Sequence, residues 1–187
     1  MYRLFIVLFL AATSSFAWAQ SDHASPYAGQ EQREIMSFSD EYLAELRRGG
    51  GWGLAKPAEL NGWPGPSHLL DLQDEIPMRT DQVAALERQF QQMRRQAIEM
   101  GKRLIAREHA LDRAFRARQV TPERLHLLLE EAEAARTDLR YVHLSAHLAA
   151  TALLDAAQIE RYNALRGYAD MSQHGGPAGH GASHKPQ

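Results

Sequence analysis

The chain of 187 residues has no cysteine at all. That absence excludes a disulfide framework, a thiolate metal site, a thiol nucleophile and a lipid-modified N-terminal cysteine. A surplus of basic charge is missing too: 21 Lys and Arg stand against 23 Asp and Glu. A dedicated nucleic-acid binder would carry a positive balance, so nucleic acid is not expected as a partner. Aromatics are sparse at 8%. Ala, Leu, Arg, Glu and Gln abound instead, which favours helix over sheet.

Long apolar runs are also absent, except at the start. Arg3 and the N-terminal amine precede the apolar stretch Leu4–Ala12, and Ala17-Trp18-Ala19 offers small residues at the positions a signal peptidase reads. The run is shorter than the roughly 20 residues a membrane span needs. It predicts a cleavable secretory signal over residues 1–19, with cleavage before Gln20 and export to a periplasm. The mature chain would keep 168 residues, losing Arg3 and no acidic residue.

Residues 20–36 are polar, holding Pro26 and Gly29, and read as a flexible segment. Ser37-Phe38-Ser39-Asp40 supplies caps for a short helix with Tyr42, Leu43 and Leu46, ended by Gly49-Gly50-Gly51. Between Gly49 and Pro66 stand six of the 13 glycines and three of the eight prolines. That stretch reads as a loop whose Trp52, Leu54 and Trp63 pack onto the helical body. Ser67 is expected to cap a further short helix carrying Leu69, Leu70, Leu72 and Ile76, stopped by Pro77.

The middle of the chain is the most regular. Val83, Leu86, Phe90, Met93, Ala97, Met100 and Leu104 recur at three- and four-residue spacing, with Leu111 one heptad on. Thr121-Pro122-Glu123 then restarts the chain with a cap, a proline at the first helical position and an acid at the positive helix end. The second run is Leu125, Leu128, Ala132, Ala135, Leu139, Val142, Ala146, Ala149 and Leu153. These runs predict two helices of roughly 30–38 residues, about 45–57 Å long, meeting at a turn near Gln119–Thr121 and packing antiparallel. Asp155 can cap a last helix with Ile159, Tyr162 and Leu165, closing at Gly167. The expected fold is all-α: a long hairpin over 79–153 flanked by short helices within a domain of residues 37–168. Ile98, Ile105, Phe115, Leu129 and Leu148 lie beside the seam and need cover from the short helices, a client or a second subunit. A homodimer is preferred on grounds of area.

With the signal, the size and the helix order, two short motifs resemble the periplasmic CpxP/Spy-type family, which carries a Leu-Thr-x-x-Gln motif at helix starts. The second copy reads Leu154-Asp155-Ala156-Ala157-Gln158, where Asp keeps the capping chemistry. The first reads Met78-Arg79-Thr80-Asp81-Gln82, keeping Gln but placing Arg where Thr belongs. The resemblance spans about residues 67–168. It implies a curved antiparallel dimer and a non-enzymatic role. Spy-like members are ATP-independent chaperones for unfolding clients, CpxP-like members restrain an envelope sensor kinase, and a metal-responsive branch binds zinc, nickel or cobalt. The segment 49–66 has no counterpart in the family pattern.

Nine histidines remain to be weighed. His143 and His147 stand four apart, so their imidazoles share one helix face and could chelate a cation, or make ordinary hydrogen bonds at an interface. They flank the seam, which predicts a half-buried pair. Two ligands are too few for zinc. The opposing level of the first helix, Gln92–Ala97, offers Met93 and Gln96 but no carboxylate. A third ligand would come from His23, Glu31, Glu34 or Glu41, or from another subunit. His174, His180 and His184 lie in a Gly- and Pro-bearing tail over 169–187, read as disordered, that could wrap a soft or borderline cation or merely solubilise. His68, His109 and His126 read as surface or cap residues. No cofactor is required on this reading; a divalent cation (Zn, Ni, Co or Cu) is the one candidate. Met93 and Met100 read as core. Arg94, Arg95, Lys102 and Arg103 make the first long helix basic, against Glu130, Glu131 and Glu133 on the second. That split means either complementary hairpin pairing or a basic surface for clients or a sensor domain. No nucleophile–base pair, phosphate loop or paired carboxylates in a cleft are present, so catalysis is not expected.

Overall fold

The structure is a computed structural model, and it describes residues 25–168. Residues 25–32 form two turns in a unit of their own. The helical body starts at Arg33, earlier than composition suggested, because Ile35 is fully buried and the Met36 amide donates to Asp112 Oδ2 at 2.9 Å. Apolar burial and a paired amide therefore take residues 33–36 out of the flexible segment.

Among the described residues six helices follow: α1 (Asp40–Arg48), α2 (Lys56–Glu59), α3 (Pro66–Asp71), α4 (Thr80–Arg116), α5 (Pro122–Thr151) and α6 (Ala156–Leu165). No strand occurs among the described residues. Helices α4 and α5 form the expected antiparallel hairpin. Thr121 caps α5 by accepting from the Arg124 amide, and Pro122 occupies the first turn. Ion pairs lace the two helices: Arg103–Asp138 at 3.3 Å, Arg107–Glu131 at 3.1 Å and the largely buried Arg136–Glu108 at 3.1 Å. Two of these pairs follow the charge split, basic on α4 and acidic on α5, and Arg136–Glu108 runs the other way.

The buried face departs from a strict heptad. On α4 it reads Leu86, Ala97, Gly101, Leu104, Glu108; on α5 it reads Ala132, Ala135, Leu139, His143, Ala146, His147, Ala150. Met100 and Val142 are pushed to the half-buried edge and Ala149 into solvent. A straight α-helix drifts about 20° per heptad against a 3.5-residue repeat, which moves the packed face one position along. The shift brings Gly101 inward, where a β-carbon would stand 2.6 Å from the Leu46 carbonyl oxygen. Only glycine lets the end of α1 sit this close to α4.

Two apolar clusters hold the body. One joins Ile35, Phe38, Leu43 and Leu46 to Ala97, Leu104, Ala135 and Leu139 in the hairpin. The other, at the open end, joins Leu69, Ile76, Leu86, Ala150 and Tyr162. The short helices thus cover part of the widened seam, and Ile105 packs on the first cluster. Phe115, Leu129 and Leu148 stay exposed.

The segment 49–66 differs most from expectation. It contains the short helix α2, and α3 begins with Gly65 at the cap and Pro66 in the first turn, not with Ser67 as cap. Leu54 packs partly on the first cluster, but Trp52 and Trp63 are exposed. The Trp52 ring keeps one contact with the body, 6.0 Å from the Tyr42 ring between centroids, while Gly65 makes the close approach to the hairpin.

A histidine cleft under the glycine-rich segment

The segment 49–66 crosses α5 at His143 and His147. Both imidazoles are buried, more deeply than flanking positions implied, with 4% and 8% of their surface exposed. His147 Nδ1 lies 2.7 Å from the Trp63 carbonyl oxygen. A carbonyl only accepts, so Nδ1 carries the proton and Nε2 is left with a free lone pair. A β-carbon at Gly65 would meet His147 Cε1 at 2.7 Å and Nε2 at 2.8 Å, so only glycine fits over that ring. Gly51 lies over His143, where a β-carbon would make ordinary contact at 3.6 Å from Nδ1. His143 Nε2 is buried without a hydrogen-bond partner. Burial, with a smaller contribution from neighbouring His147, lowers the His143 pKa from 6.5 to about 4. The ring is neutral at physiological pH.

Around the pair opens a cleft of about 590 Å³, walled by Gly49–Gly53, by Lys56 and Glu59 of α2, by Phe90, Met93 and Arg94 of α4, and by His68. Met93 is where the opposing level on α4 was expected; Gln96 faces a separate cleft of about 210 Å³ with Gln92 and Ser145. The cleft's carboxylates are Glu45 and Glu59, neither of them foreseen as ligands. Glu45 pairs with Arg48. Glu59 Oε1 accepts from Tyr162 Oη at 2.6 Å, Arg166 Nε at 3.1 Å and Tyr168 Oη at 3.3 Å, while its Oε2 is buried without a partner. Burial and the bond to Glu59 push the Tyr162 phenol well above its ordinary range.

The third ligands envisaged from the N-terminal side are not assembled here. Glu34 pairs with Arg47 and with His109 at 3.4 Å, and Glu41 is exposed on α1. Glu31 belongs to the separate 25–32 unit, and His23 lies outside the described residues. Among the described residues no three His, Asp or Glu side chains gather closely enough to hold a metal ion. His174, His180 and His184 also lie outside the described residues. His68 faces Asp71 and His126 faces Glu130 on the surface.

The four basic residues of α4 are all exposed and differ in their partners. Arg94 turns to the cleft and donates to the Arg48 carbonyl at 3.3 Å. Lys102 pairs with Glu99 and Arg103 with Asp138. Arg95 alone of the four makes no such contact among the described residues.

The motif residues do meet. Gln158 Oε1 accepts from the Asp155 amide at 3.0 Å while Asp155 Oδ1 accepts from the Gln158 amide at 2.9 Å, a complete capping box at α6. At α4 the Arg79 amide donates to Gln82 Oε1 at 2.8 Å, but a guanidinium cannot accept, so only the glutamine half forms. The two glutamines, both buried, exchange hydrogen bonds of 3.0 Å. Each also donates to the carbonyl leading into the other's helix: Gln82 to Leu153 O at 2.6 Å, Gln158 to Pro77 O at 2.9 Å. Both amides are thus fully satisfied, and the pair clasps the open end of the hairpin, with Met78 and Leu154 packed on the adjoining cluster. Comparison of the chain with protein-family models, with curated proteins and with solved structures finds no match.

Proposed function

We propose that this chain is a non-enzymatic helical binding protein of the CpxP/Spy type, exported to the periplasm, which holds unfolding clients or the outer domain of an envelope sensor. The observation that carries the reading is a set of large apolar side chains left in solvent over a well-filled core: Trp52, Leu60 and Trp63 on the crossing segment, and Leu127, Tyr141 and Leu148 on α5. Apolar surface of this kind marks interaction sites. The Gln82–Gln158 clasp supports the family resemblance, since it gives both motif copies one shared structural task.

The α5 residues also support a homodimer. Leu127, Ala134, Tyr141 and Leu148 recur every seven residues along the solvent face. Two copies laid antiparallel would set Leu127 against Leu148 and the small Ala134 against Tyr141. The crossing segment then remains for clients. The test is suppression of client aggregation without ATP. Wild type should suppress it at a severalfold excess, and Trp52→Ser/Leu60→Ser/Trp63→Ser should not. Tyr141→Ser/Leu148→Ser should instead shift sedimentation from dimer to monomer. Failure of wild type to suppress aggregation would refute the reading.

A second reading, a binder or sensor of Zn, Ni, Co or Cu, is favoured by one geometry. His147 is oriented by a backbone carbonyl with Nε2 free, as metal-bound imidazoles are, and neutral His143 stands beside it with Nε2 unpartnered. The remaining ligands would come from His174, His180 and His184 or from a second copy. Calorimetric titration with each cation should show binding that is lost in His143→Ala/His147→Ala; unchanged binding in that variant would exclude the pair.

A further inference from the structure

The end of the hairpin where α4 turns into α5 has a chemistry of its own. Helix α4 closes in a Schellman turn: the Arg118 amide donates to Phe115 O at 3.0 Å and the Gln119 amide to Ala114 O at 3.0 Å. Arg118 sits at φ +52°, in the left-handed position that glycine or asparagine ordinarily takes. A side chain kept there at a steric cost points to a use for that side chain.

Arg118 has company. Arg113, Arg116 and Arg124 lie within about 5 Å of the helix ends at 1.5 Å per residue. None of the four makes an ion pair or a side-chain hydrogen bond among the described residues, whereas Arg103 and Arg107, further along α4, are paired with Asp138 and Glu131. From Arg113 to Leu129 the only acid is Glu123. Phe115 stands between Arg113 and Arg116 in the chain, with 56% of its surface exposed. Neither cleft described above includes any of these residues.

We propose that this hairpin tip docks on an anionic lipid surface. Unpaired guanidiniums match phosphate oxygens, and an exposed phenyl ring between them can enter the boundary of headgroups and acyl chains. A tip that lines neither of the two clefts suits a soft, flat partner. A nucleic acid or an acidic protein strand would lie along the molecule, where acids are interspersed with cations such as Arg88, Arg95 and Arg140 and the chain's net charge is −2, whereas the segment from Arg113 to Leu129 sets four arginines against the single acid Glu123. A bilayer touched only by the tip meets that basic segment alone.

The test uses the chain from Gln20 onward, which contains every described residue; the apolar run before it would partition into bilayers by itself. Co-sedimentation is measured with vesicles of phosphatidylglycerol in phosphatidylcholine and of phosphatidylcholine alone. Binding should require phosphatidylglycerol and weaken with salt. Arg118→Gly should weaken it about fivefold, and Arg113→Gln/Arg116→Gln/Arg118→Gly/Arg124→Gln by more than about a hundredfold, as expected near an anionic surface. Phe115→Ser should weaken binding while leaving its salt sensitivity. Because Arg118→Gly relieves the turn, its melting temperature should not fall, so a loss of binding there is not a loss of fold. Equal binding to phosphatidylcholine, or variants binding like wild type, would overturn the proposal. Tighter binding of a single-stranded oligonucleotide or of polyglutamate than of vesicles would overturn the choice of lipid.

Discussion

Acid should unfold this protein through His143. The ring is buried, its Nε2 has no partner, and its pKa falls from 6.5 to about 4. Above pH 6.5 the imidazole is neutral in both folded and unfolded chains, and the full stability is present. Below that, the unfolded chain takes up a proton that the folded chain refuses. Stability is therefore lost progressively down to about pH 4, where both forms are protonated and the loss stops. At 1.36 kcal/mol per unit, a window of about 2.5 units corresponds to about 3 kcal/mol. His143→Leu removes the titration, and because Nε2 bonds to nothing it breaks no hydrogen bond. The assay is urea unfolding of both proteins at several pH values from 7.5 to about 4, with the difference between them as readout. Carboxylates and histidines remote from the cleft act alike in both and cancel. The wild type should lose about 3 kcal/mol more than the variant across that window. Parallel curves would show that His143 is solvated in the folded protein and that its burial does not hold its proton off.

Three further outcomes follow from single contacts. Gly101→Ala gains helix propensity of about 1 kcal/mol but drives a methyl to 2.6 Å from the Leu46 carbonyl oxygen, so urea unfolding should show a net loss of about 1–3 kcal/mol. Gln82→Leu and Gln158→Leu should each cost about 2 kcal/mol by orphaning the other amide, and the double variant should cost clearly less than the two added; strict additivity in a double-mutant cycle would argue against the clasp. Arg118→Gly should raise stability by about 0.5–1 kcal/mol, since the residue stands at φ +52°, and a lower melting temperature would contradict the strained turn.

The hairpin was legible because its signals are local. The three- and four-residue spacing of Leu86, Ala97 and Leu104, and the Thr121-Pro122 start, need no knowledge of the partner. Ser39 and Asp155 as caps were equally plain. What sequence could not give was anything set by segments far apart in the chain. The drift of the buried face from Met100 to Gly101 depends on how α1 seats on α4. The cover over His147 comes from Trp63, 84 residues away. The clustering of glycines in 49–66 did carry a signal: Gly65 is small because the His147 imidazole lies beneath it. Trp52 and Trp63 pointed the wrong way, since an indole in a Gly-rich segment reads as an anchor whether it faces the core or the solvent. Glu59 gave no signal, as a lone glutamate in a loop has no pattern until Tyr162 and Arg166 are folded onto it.

The most direct test of client binding uses those tryptophans. The sequence has three, Trp18, Trp52 and Trp63, so a chain starting at Gln20 emits only from the two exposed rings. Their emission should be that of partly solvated indoles for the protein alone. It should shift to the blue on titration with an unfolded, tryptophan-free client, saturating over the concentration range in which aggregation is suppressed. Emission that stays unchanged while the client is held soluble would place the client elsewhere, and no shift together with no suppression would contradict the account.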